Sequence, residues 1–324
     1  MTVYKSADTP LYPEDSVIQA PLAGYTDAPY RLACRQFGCH YAFTPLAEAG
    51  MIVYNKSCDQ SHPTLMRDDS EEWLGVQLLG SNPNRLKKAV QRLNRFHYDV
   101  LDFNMGCPVK KVTKRNAGAA LCVNPDLALT CLETVIKESS IPVTAKIRVI
   151  SREDPEPTVD LAQKMENVGI SALAIHGRTV EQLYSGPVAT DVIKAVNSAL
   201  NIPVIANGGV KDRQSASDLI SQTGCSRIMI GRGSIGRPWL FSELRNPEYV
   251  PPSKEEICCI IKRHVTHIVS IYGEERGIRH ARKIIAAYIK GLGLPSTTRN
   301  MTNTLNSIAD VNQLLNHIKS FSQS

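Results

Sequence analysis

Asp102-Phe103-Asn104-Met105-Gly106-Cys107-Pro108-Val109-Lys110-Lys111-Val112 is the stretch on which the reading of this chain turns. It continues an apolar run (Val100, Leu101, Phe103), so it reads as a buried strand that ends in a sharp turn. Gly106 lets the backbone turn tightly, and Pro108 removes a ladder donor and stops further pairing. Cys107 therefore falls at a strand tip, with Lys110, Lys111, Lys114 and Arg115 directly after it. A thiol beside a cationic loop suits an acid or nucleophile that meets an anionic substrate. The plainer alternative is a small buried residue filling a turn, followed by solvated lysines.

Outward from this strand, the same kind of apolar run recurs. Strands are expected at Val17–Gly24, Tyr41–Glu48, Trp73–Gly80, Val100–Cys107, Ile141–Val149, Ala172–Arg178, Ile202–Gly209 and Arg227–Gly233. Helical patterns separate them, at Ala28–Phe37, Arg85–Phe96, Asp126–Glu138, Val159–Val168, Asp191–Leu200 and Asp212–Gln222. Asn82-Pro83 and Asn124-Pro125 each pair a capping side chain with proline at the first helical position. Alternating strands and helices imply a parallel sheet. Eight such units in roughly 230 residues match a (β/α)8 TIM barrel, with an open doubly wound sheet as the second choice. After Gly233 the strand signals stop, and Lys254–Tyr272, Gly277–Leu292 and Asn303–Phe321 read as helices. The expected organisation is therefore a catalytic barrel over residues 1–245 and an all-helical domain over 252–324, divided near Pro251-Pro252.

Composition narrows the classes of function. The 324 residues are 43% hydrophobic with a net charge of +6, enough for one large barrel or a domain with an appendage. No run approaches the ~20 apolar residues of a membrane span. The opening residues carry Asp8, Pro10, Pro13, Glu14 and Asp15 and lack the apolar centre of a secretory signal. Nine cysteines without a C-x-x-C pair argue against a zinc ribbon or a redox dithiol and fit reduced thiols in a cytoplasmic protein. Residues 253–324 hold ten Lys/Arg against five Asp/Glu, so +5 of the net +6 lies there. On a helix over Gly277–Leu292, Arg279, Lys283 and Lys290 fall within about 40° of each other, opposite Ala281, Ile284, Ile285, Tyr288 and Leu292. Such a face suits nucleic acid.

In a barrel, ligands sit at the C-terminal ends of the strands. Those ends carry Gln77, Asn104 with Cys107, Lys146 with Arg148, His176 with Arg178, Asn207-Gly208-Gly209 and Gly231-Arg232-Gly233. Members of each pair two apart share one face of their strand. Few acids stand where they would pair with these cations. The glycines after the last two strands match the usual barrel phosphate site. Gly231-Arg-Gly-Ser-Ile-Gly236 spells G-x-G-x-x-G but closes the last strand instead of opening a βαβ unit, which excludes a dinucleotide fold. A phosphate cup with Lys146, Gln77 and Asn207 suits flavin mononucleotide (FMN), among other phosphorylated ligands.

At these residues the chain resembles the tRNA-dihydrouridine synthases, most closely the bacterial B-type subgroup. The matching motifs are Ala20-Pro-Leu-Ala-Gly-Tyr-Thr-Asp27, Gly75-Val-Gln-Leu-Leu-Gly80, Asp102–Val112, Val143-Thr-Ala-Lys-Ile-Arg148, and His176-Gly-Arg-Thr179 with Gln182 and Tyr184-Ser-Gly186. Ile202–Gly209, Met229–Phe241, and Arg279-His-Ala-Arg-Lys283 with Tyr288–Gly291 complete the set. The resemblance implies a cytoplasmic, metal-free, monomeric flavoenzyme. It would use FMN and NADPH to reduce selected tRNA uridines to 5,6-dihydrouridine. It implies hydride delivery to C6 of the uracil and protonation of C5 by Cys107. An ordinary thiol, with pKa near ~8.5, is mostly protonated at neutral pH and able to donate.

By position, Pro21, Leu22, Gln77, Lys146, His176, Asn207, Gly208, Gly209, Gly231 and Arg232 would bind the flavin. Asn104, Arg148 and Arg178 would hold the uracil, and Arg279, Arg282 and Lys283 the tRNA. The chain departs from the family pattern in three places. Leu22 stands for a usual Met, Pro187-Val-Ala-Thr-Asp191 for an acidic-aromatic pair, and the loop after Arg148 lacks a frequent Gly. Another FMN-dependent pyrimidine oxidoreductase, or a non-enzymatic RNA-binding protein on the same fold, are the alternatives.

Overall fold

The computed structural model of the chain describes residues 11–321; the opening residues read for a secretory signal lie largely outside them. The strands are β1 (Val17–Gln19), β2 (Tyr41–Ala42), β3 (Ala47–Glu48), β4 (Gly75–Leu79), β5 (Val100–Met105), β6 (Val143–Arg148), β7 (Leu173–His176), β8 (Val204–Asn207) and β9 (Arg227–Ile230). All pair in parallel, in the order β2-β1-β9-β8-β7-β6-β5-β4-β3. The two edges are halves of the single strand expected at Tyr41–Glu48. Pro45 has no N–H to give the ladder, and the chain splits around it. The first half pairs with β1 (Ile18 opposite Tyr41), the second with β4 (Ala47 opposite Leu78), and Phe43 bridges Gly75. The sheet thus curls until both edges meet on one segment, as eight staves of a TIM barrel.

Residues two apart along a strand line the interior, and their character changes along the axis. Tyr12, Ile18, Phe43, Trp73, Val100, Ala172, Ile205 and Met229 belong to one buried cluster. Trp73 lies 5.3 to 5.6 Å, ring to ring, from Tyr12, Tyr41 and Phe43. Farther along the strands, Val100 gives way to Asp102 and Asn104, Ala174 to His176, and Ile205 to Asn207. The interior is therefore an apolar plug with polar groups at the C-terminal ends of the strands.

The helices start where capping chemistry allows. Asn82 Oδ1 accepts from Arg85 N–H at 2.9 Å, and Asn124 Oδ1 from Leu127 N–H at 3.3 Å, opening Pro83–Leu93 and Pro125–Glu138. Two of the C-terminal helical expectations shift, and the helix expected at Gly277–Leu292 runs Glu274–Tyr288. The last helix runs Ile308–Ser320 rather than from Asn303. Ser307 and Asp310 form a reciprocal capping box, and residues before it form the short helix Ser296–Asn300 and the 3-10 turn Met301–Thr304.

Contacts divide the chain into two units. One runs to Ala23 and resumes over His40–Gly231; the other comprises Gly24–Cys39 and the described residues from Arg232 on. The division differs from the cut expected between 245 and 252, and it moves the helix Ala28–Arg35 out of the barrel unit. That helix is buried along Tyr30, Arg31, Ala33 and Cys34. Tyr30 Oη lies 3.0 Å from Ser234 Oγ, and its ring 6.0 Å from that of His264. An apolar stripe announces that a helix is buried but not against what. Gly236, the last glycine of the G-x-G-x-x-G, also serves this unit. A Cβ there would lie 2.3 Å from the backbone of Ala287, so its use is close helix packing.

The helical unit has its own core, with Trp239, Ile261, Ile268, Ile285, Leu314 and Ile318 among its members. Of the face expected to pack, Ala281, Ile284, Ile285 and Tyr288 are buried on Glu274–Tyr288, whereas Leu292 and the expected cation Lys290 fall after that helix, Leu292 only partly buried. Among the described residues no helix is long and apolar enough to cross a membrane, and no group of side chains could hold a metal.

Candidate active site at the C-terminal ends of the strands

Register brings the expected barrel residues together. Gln77 lies opposite Asp102, Asn104 opposite Lys146, Arg148 opposite His176, and His176 opposite Asn207. Gln77, Asn104, Arg148, His176, Arg178 and Asn207 are buried; Lys146 and Cys107 are partly so. Pro21 and Leu22 follow β1 and are half-buried. Gly208 and Gly209 follow β8 with φ of +134° and +78°, backbone that favours glycine.

Lys146 Nζ donates to Asn207 Oδ1 at 2.9 Å, and Asn207 Nδ2 to Met229 O at 2.7 Å. Burial lowers the lysine's pKa to about 8, against the attraction of Asp102, with Arg148 adding to the fall. Asp102 moves the other way. Burial raises it to about 6, while hydrogen bonds from Gln77 and Thr144 and the charge of Lys146 hold it down. One acid, Asp102, thus accompanies the cations, bonded to Gln77 and Thr144. Asp102 stands two residues before Asn104, on the same inward face, and the apolar run around it masked it as a strand interruption.

The Cys107 loop is clasped from several sides. Asn104 Oδ1 accepts from Gly106 N–H at 3.2 Å and Cys107 N–H at 3.0 Å. Cys107 O accepts from Ala119 N–H at 3.0 Å, in the 3-10 helix Gly118–Val123, an element the periodicity did not announce. The four cations after Cys107 are exposed, Lys110 and Lys111 on the short helix Lys110–Thr113. All nine cysteines are free, and only Cys107 and Cys259 are not buried.

Arg148 braces this rim. Its Nε donates to Gly106 O at 2.8 Å, and one terminal nitrogen to Arg178 O, Thr179 O and Leu183 O at 3.3, 3.1 and 2.7 Å. Leu183 holds φ of +52°, and Tyr184 is half exposed, its ring centre 5.3 Å from the Arg148 guanidinium carbon. Arg178 donates from Nε to Gly186 O at 2.9 Å and lies 3.3 Å from His176 Nε2. The departure at Pro187–Asp191 also has a packing role: Val188 occupies the space beside Gly177 and Gly208.

Gly231 directly follows β9 and is partly buried, and the expected residues Arg232, Arg279, Arg282 and Lys283 lie in the other unit. Arg232 is exposed and opens the 3-10 turn Arg232–Ser234. Arg279 is exposed and pairs with Glu275 at 2.8 Å. Arg282 donates to Leu305 O and Asn306 Oδ1, both at 2.9 Å. Lys283 donates to Gly24 O and sits 4.5 Å from the centre of the Tyr25 ring. Asp27, in a motif that received no individual role, pairs with His280 at 3.0 Å and accepts from Tyr272 Oη at 2.9 Å. Burial pulls its carboxyl upward, but these partners prevail and hold it below the usual range.

The chain as a whole is similar to known proteins. The family model described as dihydrouridine synthase (Dus) matches residues 18–323. The tRNA-dihydrouridine synthase B of Pasteurella multocida is 36% identical over 284 residues, covering 86% of this chain and 85% of that protein. That of Pseudomonas aeruginosa is 37% identical over 281 residues, covering 85% and 84%. That of Vibrio cholerae is 34% identical over 316 residues, covering 95% and 96%. Among solved structures, histamine dehydrogenase from Rhizobium sp. 4-9 matches with a TM-score of 0.54 at 12% identity, over 78% of this chain. The match spans about half of that structure, 48%, and shows a shared fold.

Proposed function

The chain belongs to the dihydrouridine synthase family, and from that premise we propose that it reduces uridines of tRNA to 5,6-dihydrouridine, with FMN as hydride carrier and NADPH as reductant. The observation that carries this reading is the setting of Cys107. It sits at the tip of β5 on a loop held by Asn104, at the strand ends where Gln77, Lys146, His176 and Asn207 converge.

The residues present fit a flavin. Lys146 supplies a cation beside neutral amides, charged below about pH 8, suited to the anionic edge of a reduced ring. Gln77, Asn207 and His176 offer polar groups, with Pro21 and Leu22 beside β1. The left-handed backbone at Gly208 and Gly209, with Gly231 after β9 and Arg232 next in sequence, suits a phosphate. Bound FMN supplies the hydride.

Asn104 and Arg148 hold the loop on which the Cys107 thiol lies, and that thiol delivers the proton to C5 of the uracil. Arg178 is held beside His176, where it orients the substrate ring. A base inside a helical stack cannot reach strand ends, so the target uridine leaves its stack to react. In the helical unit, Arg279, Arg282 and Lys283 contribute positive charge for the tRNA backbone. The enzyme acts as a cytoplasmic monomer without a metal.

The test is the visible spectrum of the purified protein, NADPH addition under argon, and then bulk tRNA. The expected result is a flavin band that bleaches and dihydrouridine that accumulates. Cys107→Ala should keep the bleaching and lose product formation by about 10²–10⁴-fold, the usual worth of a general acid. A colourless protein that FMN does not reconstitute would overturn the redox reading. Turnover of free uracil without tRNA would favour a different pyrimidine oxidoreductase.

A further inference from the structure

Asp102 has no part in the chemistry above, yet the hydrogen bonds of the site converge on it. Thr144 Oγ1 donates to its Oδ1 at 2.8 Å, and Gln77 Nε2 donates to its Oδ2 at 2.7 Å. Gln77 Oε1 in turn accepts from Asn104 Nδ2 at 2.7 Å. Asn104 Oδ1 accepts from the backbone N–H of Gly106 and of Cys107, at 3.2 and 3.0 Å. Every donor in this series points toward the carboxylate. An ionised carboxylate only accepts, so Oδ2 admits the amino end of Gln77 and no other. Gln77 must then turn its oxygen to Asn104, and Asn104 its oxygen to the Cys107 loop. Reversing either amide would set oxygen against oxygen or N–H against N–H among buried groups, which is costly.

We propose that Asp102 is a positioning residue: its carboxylate sets the orientation of the Gln77 and Asn104 amides and so holds the Cys107 backbone at the strand tip. The effect on turnover rests on the reading of Cys107 as proton donor; the effect on the loop does not. With a pKa near 6 the group is ionised at neutral pH, the state the series requires.

Asp102→Asn and Asp102→Leu separate this role from space filling. The two side chains have nearly the same size and shape, but only asparagine offers an oxygen to Gln77, with the Thr144 hydroxyl turning to accept from its amide. The loop is read first, without reference to turnover. In a Cys259→Ser background Cys107 is the one cysteine that is not buried, so its alkylation by iodoacetamide reports the loop. The asparagine variant should alkylate within about twofold of the parent, and the leucine variant should differ by about tenfold or more. In turnover, asparagine should restore most of kcat. Leucine should lose on the order of a hundredfold in kcat with little change in KM for tRNA, as a misplaced acid does.

Leucine matching asparagine in alkylation, or both variants departing equally from the parent, would overturn the proposal. If the leucine variant does not fold, Asp102→Ala takes its place under the same expectations. A parent that makes no dihydrouridine would defeat the functional reading, while the alkylation contrast would still decide the role of Asp102.

Discussion

At Lys146, burial and charge act against each other. The ammonium has a neutral amide oxygen as its hydrogen-bond acceptor and Asp102 as countercharge, and burial still lowers its pKa from 10.5 to about 8. The folded chain therefore loses this proton before the unfolded chain does. Below pH 8 the buried charge costs stability, and that cost is removed as pH rises from about 8 to 10.5. Measured against Lys146→Met, the ligand-free protein should gain stability across that window, by about 3 kcal/mol at most at ~1.36 kcal/mol per unit. Urea melts of both proteins over the pH series check this; curves that stay parallel would contradict it. Lys146 and Arg148 were legible in the sequence as inward-facing because they stand two apart on a strand. What Arg148 does was not. Four of its contacts are backbone carbonyl oxygens of loops after β5 and β7, and no side-chain pattern encodes those.

Among the elements, the strands were readable because a strand covered on both faces is a continuous apolar run. All eight expected segments contain observed strand, in each case shorter than expected. The 3-10 helix Gly118–Val123 left no such signal, being six residues long and without a helical period. Its consequence is nonetheless specific. Gly118 has φ of +62°, and a Cβ there would lie 2.7 Å from Cys107 O and 3.1 Å from Cys107 Cβ. Gly118→Ala should therefore destabilise the barrel unit by about 1–3 kcal/mol, from the left-handed backbone and the collision together. It should also slow dihydrouridine formation by displacing the Cys107 loop. Denaturation midpoints and product assays on the same preparation check both effects, and an unchanged midpoint would show the loop yielding at no cost.

For the molecule as a whole, the uneven charge is the feature the sequence displays most openly, but the cations it contains differ in use. On Glu274–Tyr288, Arg279 is exposed with one surface ion pair, whereas Arg282 spans to Leu305 O and Asn306 Oδ1 before the last helix. A surface pair of this kind contributes little to stability. Arg279→Ala should weaken tRNA binding and flatten the slope of log K against log salt by about one unit, leaving the melting temperature unchanged. Arg282→Ala should lower the melting temperature as well, because it removes a brace. Salt-dependent filter binding with thermal melts separates the two, and identical behaviour would show that both act only as surface charge.

The sequence by itself determined the eight strand segments, the parallel class, the cationic helical region, and the gathering of Cys107, Asn104, Lys146 and His176 at one end of the strands. These follow from local periodicity and from glycine and proline, which act within a few residues. Only the tertiary structure decided that Tyr41–Glu48 closes the barrel by splitting at Pro45, that Ala28–Arg35 belongs with the helical unit, and that the amides of the site are ordered from Asp102. Each of these depends on which surface meets which, and on the register of strands distant in the chain. A pattern of burial records that a face is covered and carries no address for what covers it.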